Sequence, residues 1–194
     1  MLMQDTEHTQ KVAELPIQRA VSTLKNGGLI AYPTEGVFGI GCDPLQQPAL
    51  QRVVEIKQRD AGKGLIIVCA EFPQLEPFIK PLDSATQQRL LATWPGAVTW
   101  IVKANPSLPA LLTGGRDTIA VRVSQHPIVA EITRRFERPI VSTSANYSGQ
   151  AACTSAAAVR QTLGEKIDLV LDAAVGEQQG ATPIFDAATG KQIR

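Results

Sequence analysis

Residues 29–45 read LIAYPTEGVFGIGCDPL. Leu29–Tyr32 is an apolar run of strand length, and Pro33 ends it. The loop over 33–45 is punctuated by Gly36, Gly39 and Gly41, residues that let the backbone approach something closely or adopt positive φ. Their order is G-x-x-G-x-G, not the dinucleotide-binding G-x-G-x-x-G, and no helix follows at once. A tight strand-to-helix connection explains these glycines as well as a ligand does. Upstream, apolar residues at 17, 20, 21 and 24 mark one helix face over Ile17–Lys25, which Asn26-Gly27-Gly28 stops. Downstream, Gln47–Arg59 reads as a second helix, with Leu50, Val53 and Val54 inward, and Leu65–Cys69 as a second buried strand.

The same mixture continues outward. Helices are expected over 72–79, 84–93, 126–136 and 156–163, with Pro127 early in its helix, where proline is tolerated. Strands are expected over 97–102, 118–123, 139–141, 167–171 and 182–186. Polar or glycine-rich loops are expected over 105–117 and 142–149, and Trp94-Pro95-Gly96 as a turn anchored by a buried indole. Strands and helices intermix without a strict βαβ repeat, which favours one α/β (α+β) domain around a mixed sheet. Residues 1–14 read as a loose polar lead, and 15–194 as the domain.

Composition bounds the function. The chain of 194 residues holds 19 Lys+Arg against 18 Asp+Glu, a net charge of +1. It is not a polycation, so phosphate chemistry must rest on a few placed cations. Three cysteines with no CxxC pair argue against a disulfide scaffold or structural zinc and for a reducing, cytoplasmic setting. Two histidines exclude a histidine-rich metal site. The polar N-terminus lacks a signal-peptide core, and no run approaches the ~18 apolar residues of a membrane span.

Four clusters can carry chemistry. The glycine loop is the first. The second is Lys57-Gln58-Arg59-Asp60-Ala61-Gly62-Lys63-Gly64, three cations in seven residues at a helix end. It fails as a P-loop: residue 57 is not glycine, and residue 64 is not Ser or Thr. Polyphosphate binding and simple complementation of the helix dipole both account for it. The third is Ser142-Thr143-Ser144-Ala145-Asn146-Tyr147-Ser148-Gly149, hydroxyls and an amide at a strand end, fit either for a phosphate or for a capped turn. The fourth is Arg122, a lone cation in an apolar strand. It needs a partner, either a substrate carboxylate or an internal acid. Asp168, Asp172 and Asp186 match no metal-ligand spacing.

Taken together, AYPTEGVFGIGCDP, EIKQRDAGKGLIIV, WPGAVTWIV, IAVRV followed by HP, and PIVSTSANYSG resemble the YrdC-like threonylcarbamoyl-AMP synthases of the short bacterial (TsaC) type. They span Ala31–Gly149 in family order, with weaker agreement through Asp186. Lys57-x-Arg59 together with Ser144-x-Asn146 is the specific combination. The resemblance implies a single-domain twisted mixed sheet flanked by helices, with a large concave, cation-lined groove. It implies synthesis of threonylcarbamoyl-adenylate and pyrophosphate from L-threonine, bicarbonate (or CO2) and ATP. A separate threonylcarbamoyl-transferase complex then carries out the N6-threonylcarbamoyl modification of adenosine 37 in tRNAs reading codons that begin with A.

No protein nucleophile is needed for that reaction, only alignment and charge neutralisation. The resemblance assigns Lys57, Arg59 and Lys63 to the ATP phosphates, with Ser144 and Asn146 beside the α-phosphate and Arg194 as a further ATP contact. Lys57, Arg59, Ser144 and Asn146 form the catalytic set. Arg122 is expected to hold the threonine carboxylate, helped by Thr34 and Ser142. Mg²⁺ is expected with ATP, and no protein-bound structural metal. Three positions depart from the family pattern: Gly36 and Phe38 replace a threonine and a tyrosine, and Asp60 replaces a proline. The alternative reading is a double-stranded-RNA- or tRNA-binding, or ribosome-maturation, module using the same basic groove. Spare cations outside the groove would favour it. A carbamoyl-hydrolase subdomain is a third reading, which the lack of flanking domains disfavours.

Overall fold

The computed structural model describes the backbone of residues 2–194 and the side chains of residues 14–194. Helix α1 (Leu2–Lys25) begins well before the apolar spacing that marks it. The side chains of residues 1–13, on which the reading of a loose polar lead depends, lie outside the described residues. Glu14 pairs with Arg135 at 3.2 Å.

After α1 come β1 (Ile30–Pro33), β2 (Phe38–Gly41), α2 (Gln47–Lys57), β3 (Ile66–Cys69), α3 (Ser84–Leu91) and β4 (Thr99–Lys103). These are followed by α4 (Ala110–Thr113), β5 (Thr118–Val123), α5 (Pro127–Phe136), β6 (Ile140–Ser144), α6 (Ala156–Leu163), β7 (Leu169–Val170) and β8 (Ile184–Asp186). The eight strands form one mixed sheet in the order β7-β1-β2-β6-β3-β5-β4-β8. β1–β7, β3–β5 and β4–β8 run parallel, and the other neighbours are antiparallel.

Period-two alternation divides the strand residues between two cores. Leu29, Ala31, Phe38, Ile40, Ile67, Val121 and Val141 face α2 and α6, which contribute Leu50, Val53, Val159 and Leu163. Ile30, Tyr32, Val68 and Ile140 face the other way, under Ala20 and Leu24 of α1 and Val129 and Ile132 of α5. No residue of β4, β5 or β8 belongs to that second cluster. The sheet face beyond α1 and α5 is therefore left bare of helix, and its side chains are Ile66, Ile101, Ala120, Arg122, Ser142 and Ile184.

Residues 33–45 are not all loop. Phe38–Gly41 is a strand, antiparallel to β1 with Tyr32 opposite Gly39. Two glycines that depress strand propensity are what the pairing requires. A Cβ on Gly41 would lie 2.6 Å from the Tyr32 ring and 2.8 Å from the Val141 carbonyl oxygen. The buried Tyr32 hydroxyl donates to that carbonyl at 3.0 Å. The glycines thus make room for an aromatic ring from the neighbouring strand. Elsewhere, Phe72–Phe78 is a 3-10 segment, not an α-helix, with Pro77 inside it. The turn at Trp94 holds as expected: the indole is buried and donates to the Val98 carbonyl at 2.7 Å.

Candidate active site

The bare sheet face is the floor of a cavity of about 460 Å³. That is within the size range of small-molecule sites. Six cations line it (Lys57, Arg59, Lys63, Arg116, Arg122 and Arg194), and among the described residues no acidic side chain does. Thr34, Ser142, Ser144 and Asn146 line it as well, so all nine residues singled out in the sequence converge there.

Lys57 closes α2, and Gln58 then takes the left-handed conformation (φ 46°) that turns the chain. The Lys57 side chain is buried, and its ammonium donates to Ser144 O at 2.6 Å, Ser144 Oγ at 3.2 Å and Asn146 O at 2.8 Å. It also donates to Asn146 Oδ1. Three N–H groups are thus shared among four acceptors. Ser144 Oγ donates to Asn146 Oδ1 at 2.9 Å, which orients the amide. Burial first, and Arg59 beside it second, lower the Lys57 pKa to about 8. The two halves of the motif are one device, in which the lysine fixes the loop that carries the serine and asparagine.

Arg59 lies 3.5 Å from Thr143 Oγ1. Burial, then the neighbouring Arg194 and Arg116, lower its pKa, and the carboxylate of Asp60 opposes them. Asp60 acts locally. Its carboxylate accepts from Gly62 N at 2.8 Å and caps the 3-10 turn Ala61–Lys63. That cap accounts for an acid where the family pattern has proline. Arg116, unmarked in the sequence reading, reaches back to donate to the Gly62 carbonyl. Its only sequence signal was a cation after two glycines in a loop.

Arg122 is 4% exposed, and the internal acid that its burial in an apolar strand called for is Glu35. Its Nη2 lies 3.4 Å from Glu35 Oε2, and its Nη1 donates to Thr182 Oγ1 at 2.8 Å. Glu35 Oε1 accepts from the Ser124 hydroxyl and from Gln125 N at 3.2 Å. Arg122 Nε and Glu35 Oε2 are the buried side-chain atoms that lack a hydrogen-bond partner among the described residues. The pair is therefore incomplete, and Arg122 retains a donor unused by the protein. Glu35 and Thr182 carried no role in the sequence reading.

Thr34 Oγ1 donates to the Val37 carbonyl at 2.7 Å, closing the turn after β1. The segment 174–182 lies across this turn: Gly176 N donates to Thr34 O and Gln178 N to Glu35 O, each at 2.9 Å. A Cβ on Gly36 would meet Gln178 O at 2.5 Å and Gly180 O at 2.6 Å, so the larger family residue has no room here. Phe38, the other departure in this motif, is fully buried in the main core. Among the described residues no group of three His, Cys, Asp or Glu side chains could hold a metal ion.

Known proteins are similar to this chain in sequence and in fold. The family model Sua5_yciO_yrdC, described as "Telomere recombination", matches residues 22–194. The Threonylcarbamoyl-AMP synthase of Vibrio vulnificus (strain YJ016) is 44% identical over 180 residues, covering 92% of this chain and 97% of that protein. That of Nitrosococcus oceani is 41% identical over 178 residues, covering 92% and 96%. Among solved structures, P. abyssi Sua5 complexed with L-threonine has a TM-score of 0.83 at 35% identity, over 88% of this chain and 50% of that one. E. coli YciO has a TM-score of 0.78 at 26% identity, over 88% and 82%.

Proposed function

The chain belongs to the Sua5/YciO/YrdC family, and on that premise we propose that it is a threonylcarbamoyl-AMP synthase acting in N6-threonylcarbamoyladenosine formation on tRNA. The observation that carries this is a cavity lined by six cations, with no acidic side chain among the described residues on its wall and with the buried Arg122 on its floor. A triphosphate beside an amino-acid carboxylate requires both features.

The reaction is a nucleotidyl transfer. The threonine amine adds to CO2, loses a proton and becomes a carbamate. A carbamate oxygen then bonds to the α-phosphorus while the bond to the leaving pyrophosphate breaks. The protein supplies position and charge. Arg59, Lys63 and Arg194 neutralise the phosphate oxygens, as positioned cations do in phosphoryl transfer. Lys57 holds the loop from which Ser144 Oγ and Asn146 face the α-phosphate. Arg122 takes the threonine carboxylate, with Thr34 and Ser142 beside it. Among the described residues no acidic side chain lines the cavity, so Mg²⁺ would enter with ATP as part of the substrate.

The RNA-binding reading is separated from this one by experiment. Among the described residues outside the cavity, Arg52, Lys103, Arg134, Arg135, Arg138 and Arg160 are each paired with an acid, whereas Arg19, Lys25, Lys80, Arg89, Lys166 and Lys191 form no salt bridge. The test is pyrophosphate release from ATP with and without threonine and bicarbonate. Release that depends on both supports the synthase, and release indifferent to threonine removes it.

A further inference from the structure

Between β7 and β8 the chain runs from 171 to 183 without helix or strand. A connection of that length with no structure of its own is uncommon in a compact domain and is usually functional. No residue from Asp172 to Ala181 is buried, whereas Leu171 and Thr182 at its ends are. Hydrogen bonds, more than packing, therefore hold the stretch in place. Two are backbone bonds, from Gly176 N to Thr34 O and from Gln178 N to Glu35 O. A third joins His126 Nε2 to the Ala174 carbonyl at 3.3 Å. Among the described residues, His126 is the only side chain that hydrogen-bonds residues 173–181. It is buried and caps α5, where its Nδ1 accepts from Ile128 N at 3.3 Å. An acceptor at Nδ1 places the proton of the neutral ring on Nε2, facing the Ala174 oxygen. Burial holds the His126 pKa below its usual 6.5, outweighing the Ala174 carbonyl and the Glu35 carboxylate, which raise it. The ring is neutral at pH 7, and each nitrogen has one fixed role.

We propose that His126 is a positioning residue that latches the 173–181 stretch against the threonine end of the cavity. Gly180 and Ala181 line the cavity. The Gly180 carbonyl packs on Gly36, where a Cβ would lie 2.6 Å from it, and Gly36 follows Glu35, the partner of Arg122. His126 reaches the same place from the other side. Its backbone N donates to Ser124 Oγ at 3.2 Å, and that hydroxyl donates to Glu35 Oε1. The residue is thus tied both to the wall that carries Glu35 and to the stretch that closes on it. Without the latch, only the two backbone bonds to the turn after β1 remain on 173–181. The inference rests on the reading of this cavity as a threonine site.

The two ring nitrogens separate chemically. Asparagine keeps an acceptor near the Nδ1 position and is a good N-cap, but it is too short to reach Ala174. Glutamine keeps an amide N–H near the Nε2 position and loses the cap. In the full chain, His126→Asn should raise the threonine KM about three- to tenfold, the loss of one hydrogen bond. Its kcat, its ATP affinity by calorimetry and its melting temperature should stay near wild type. Cleavage after Glu177 by a glutamate-specific protease should rise. His126→Gln should melt lower yet keep a threonine KM closer to wild type. An unchanged threonine KM in His126→Asn overturns the inference. So does an equal loss of threonine and ATP affinity, or a glutamine variant with a threonine KM as impaired as the asparagine one. Wild-type protein without threonine-dependent pyrophosphate release overturns the synthase reading and this inference with it. An active wild type with an indifferent asparagine variant overturns the inference alone.

Discussion

The Nζ of Lys57 lies 2.8 Å from the backbone carbonyl of Asn146, which is 89 residues further along the chain. A lysine that sequence resemblance assigns to phosphate thus spends its hydrogens on the loop after β6. Removing it strips donors from Ser144 and Asn146 together. Lys57→Met should cost about 1–3 kcal/mol of stability through the unpaired acceptors it leaves. Activity should fall further than stability alone explains. Chemical denaturation and turnover of the still-folded variant, measured side by side, check both.

Lys57 also sets a pH dependence. Its folded-state pKa of about 8 lies below its usual 10.5. Between those values the unfolded chain binds more protons than the folded one, so this residue makes stability rise with pH across that window. Activity runs the other way, because a neutral amine has fewer hydrogens for four acceptors and no charge for the site. kcat/KM for ATP should fall as pH rises through about 8, while the Lys57 contribution to melting does not fall. A profile flat through that region contradicts the cradle.

Arg122→Ala should weaken threonine use by about 10- to 100-fold, the range for losing hydrogen bonds to a charged group, and leave ATP binding nearly intact. Separate titrations of the two substrates read this directly. Equal loss of both shows that Arg122 supports the cavity as a whole.

Gly36 is held at glycine by backbone, since the carbonyl oxygens of Gln178 and Gly180 occupy the space of any side chain. Gly36→Thr should displace the 174–182 segment and with it Thr182, raising the threonine KM. Increased protease cleavage within 174–182 should accompany that rise. A threonine variant with wild-type kinetics and unchanged cleavage contradicts the role given to this segment.

The cysteines make an independent test of packing. All three are buried, and burial pushes the Cys42 thiol up and the Cys69 thiol to about 12. Buried, protonated thiols are poor nucleophiles. A disulfide reagent should leave native protein unmodified and titrate three thiols in denaturant.

Much of this was legible in the chain itself. Strands such as 66–69 and 118–123 carry alternation or apolar runs that only buried sheet tolerates. Lys57-x-Arg59 and Ser144-x-Asn146 pointed to residues that line one cavity. What eluded reading has a common physical cause. β2 hid because its glycines are dictated by the Tyr32 ring of another strand, a demand no local pattern records. Glu35, Arg116 and Thr182 hid because each acts through a residue distant in sequence. Glu35 and Thr182 flank Arg122, and Arg116 reaches back to Gly62. Asp60 looked out of place beside the cations until its local cap on Gly62 was visible.

The central claim is that this cavity joins threonine, a one-carbon unit and the AMP half of ATP. The direct measurement supplies ³H-threonine, ¹⁴C-bicarbonate and ATP, then separates the adenylated products. The account predicts one AMP-linked species carrying both labels in equal amount, formed with matching pyrophosphate. Pyrophosphate without a doubly labelled adenylate, or an adenylate carrying threonine but no bicarbonate carbon, would contradict it.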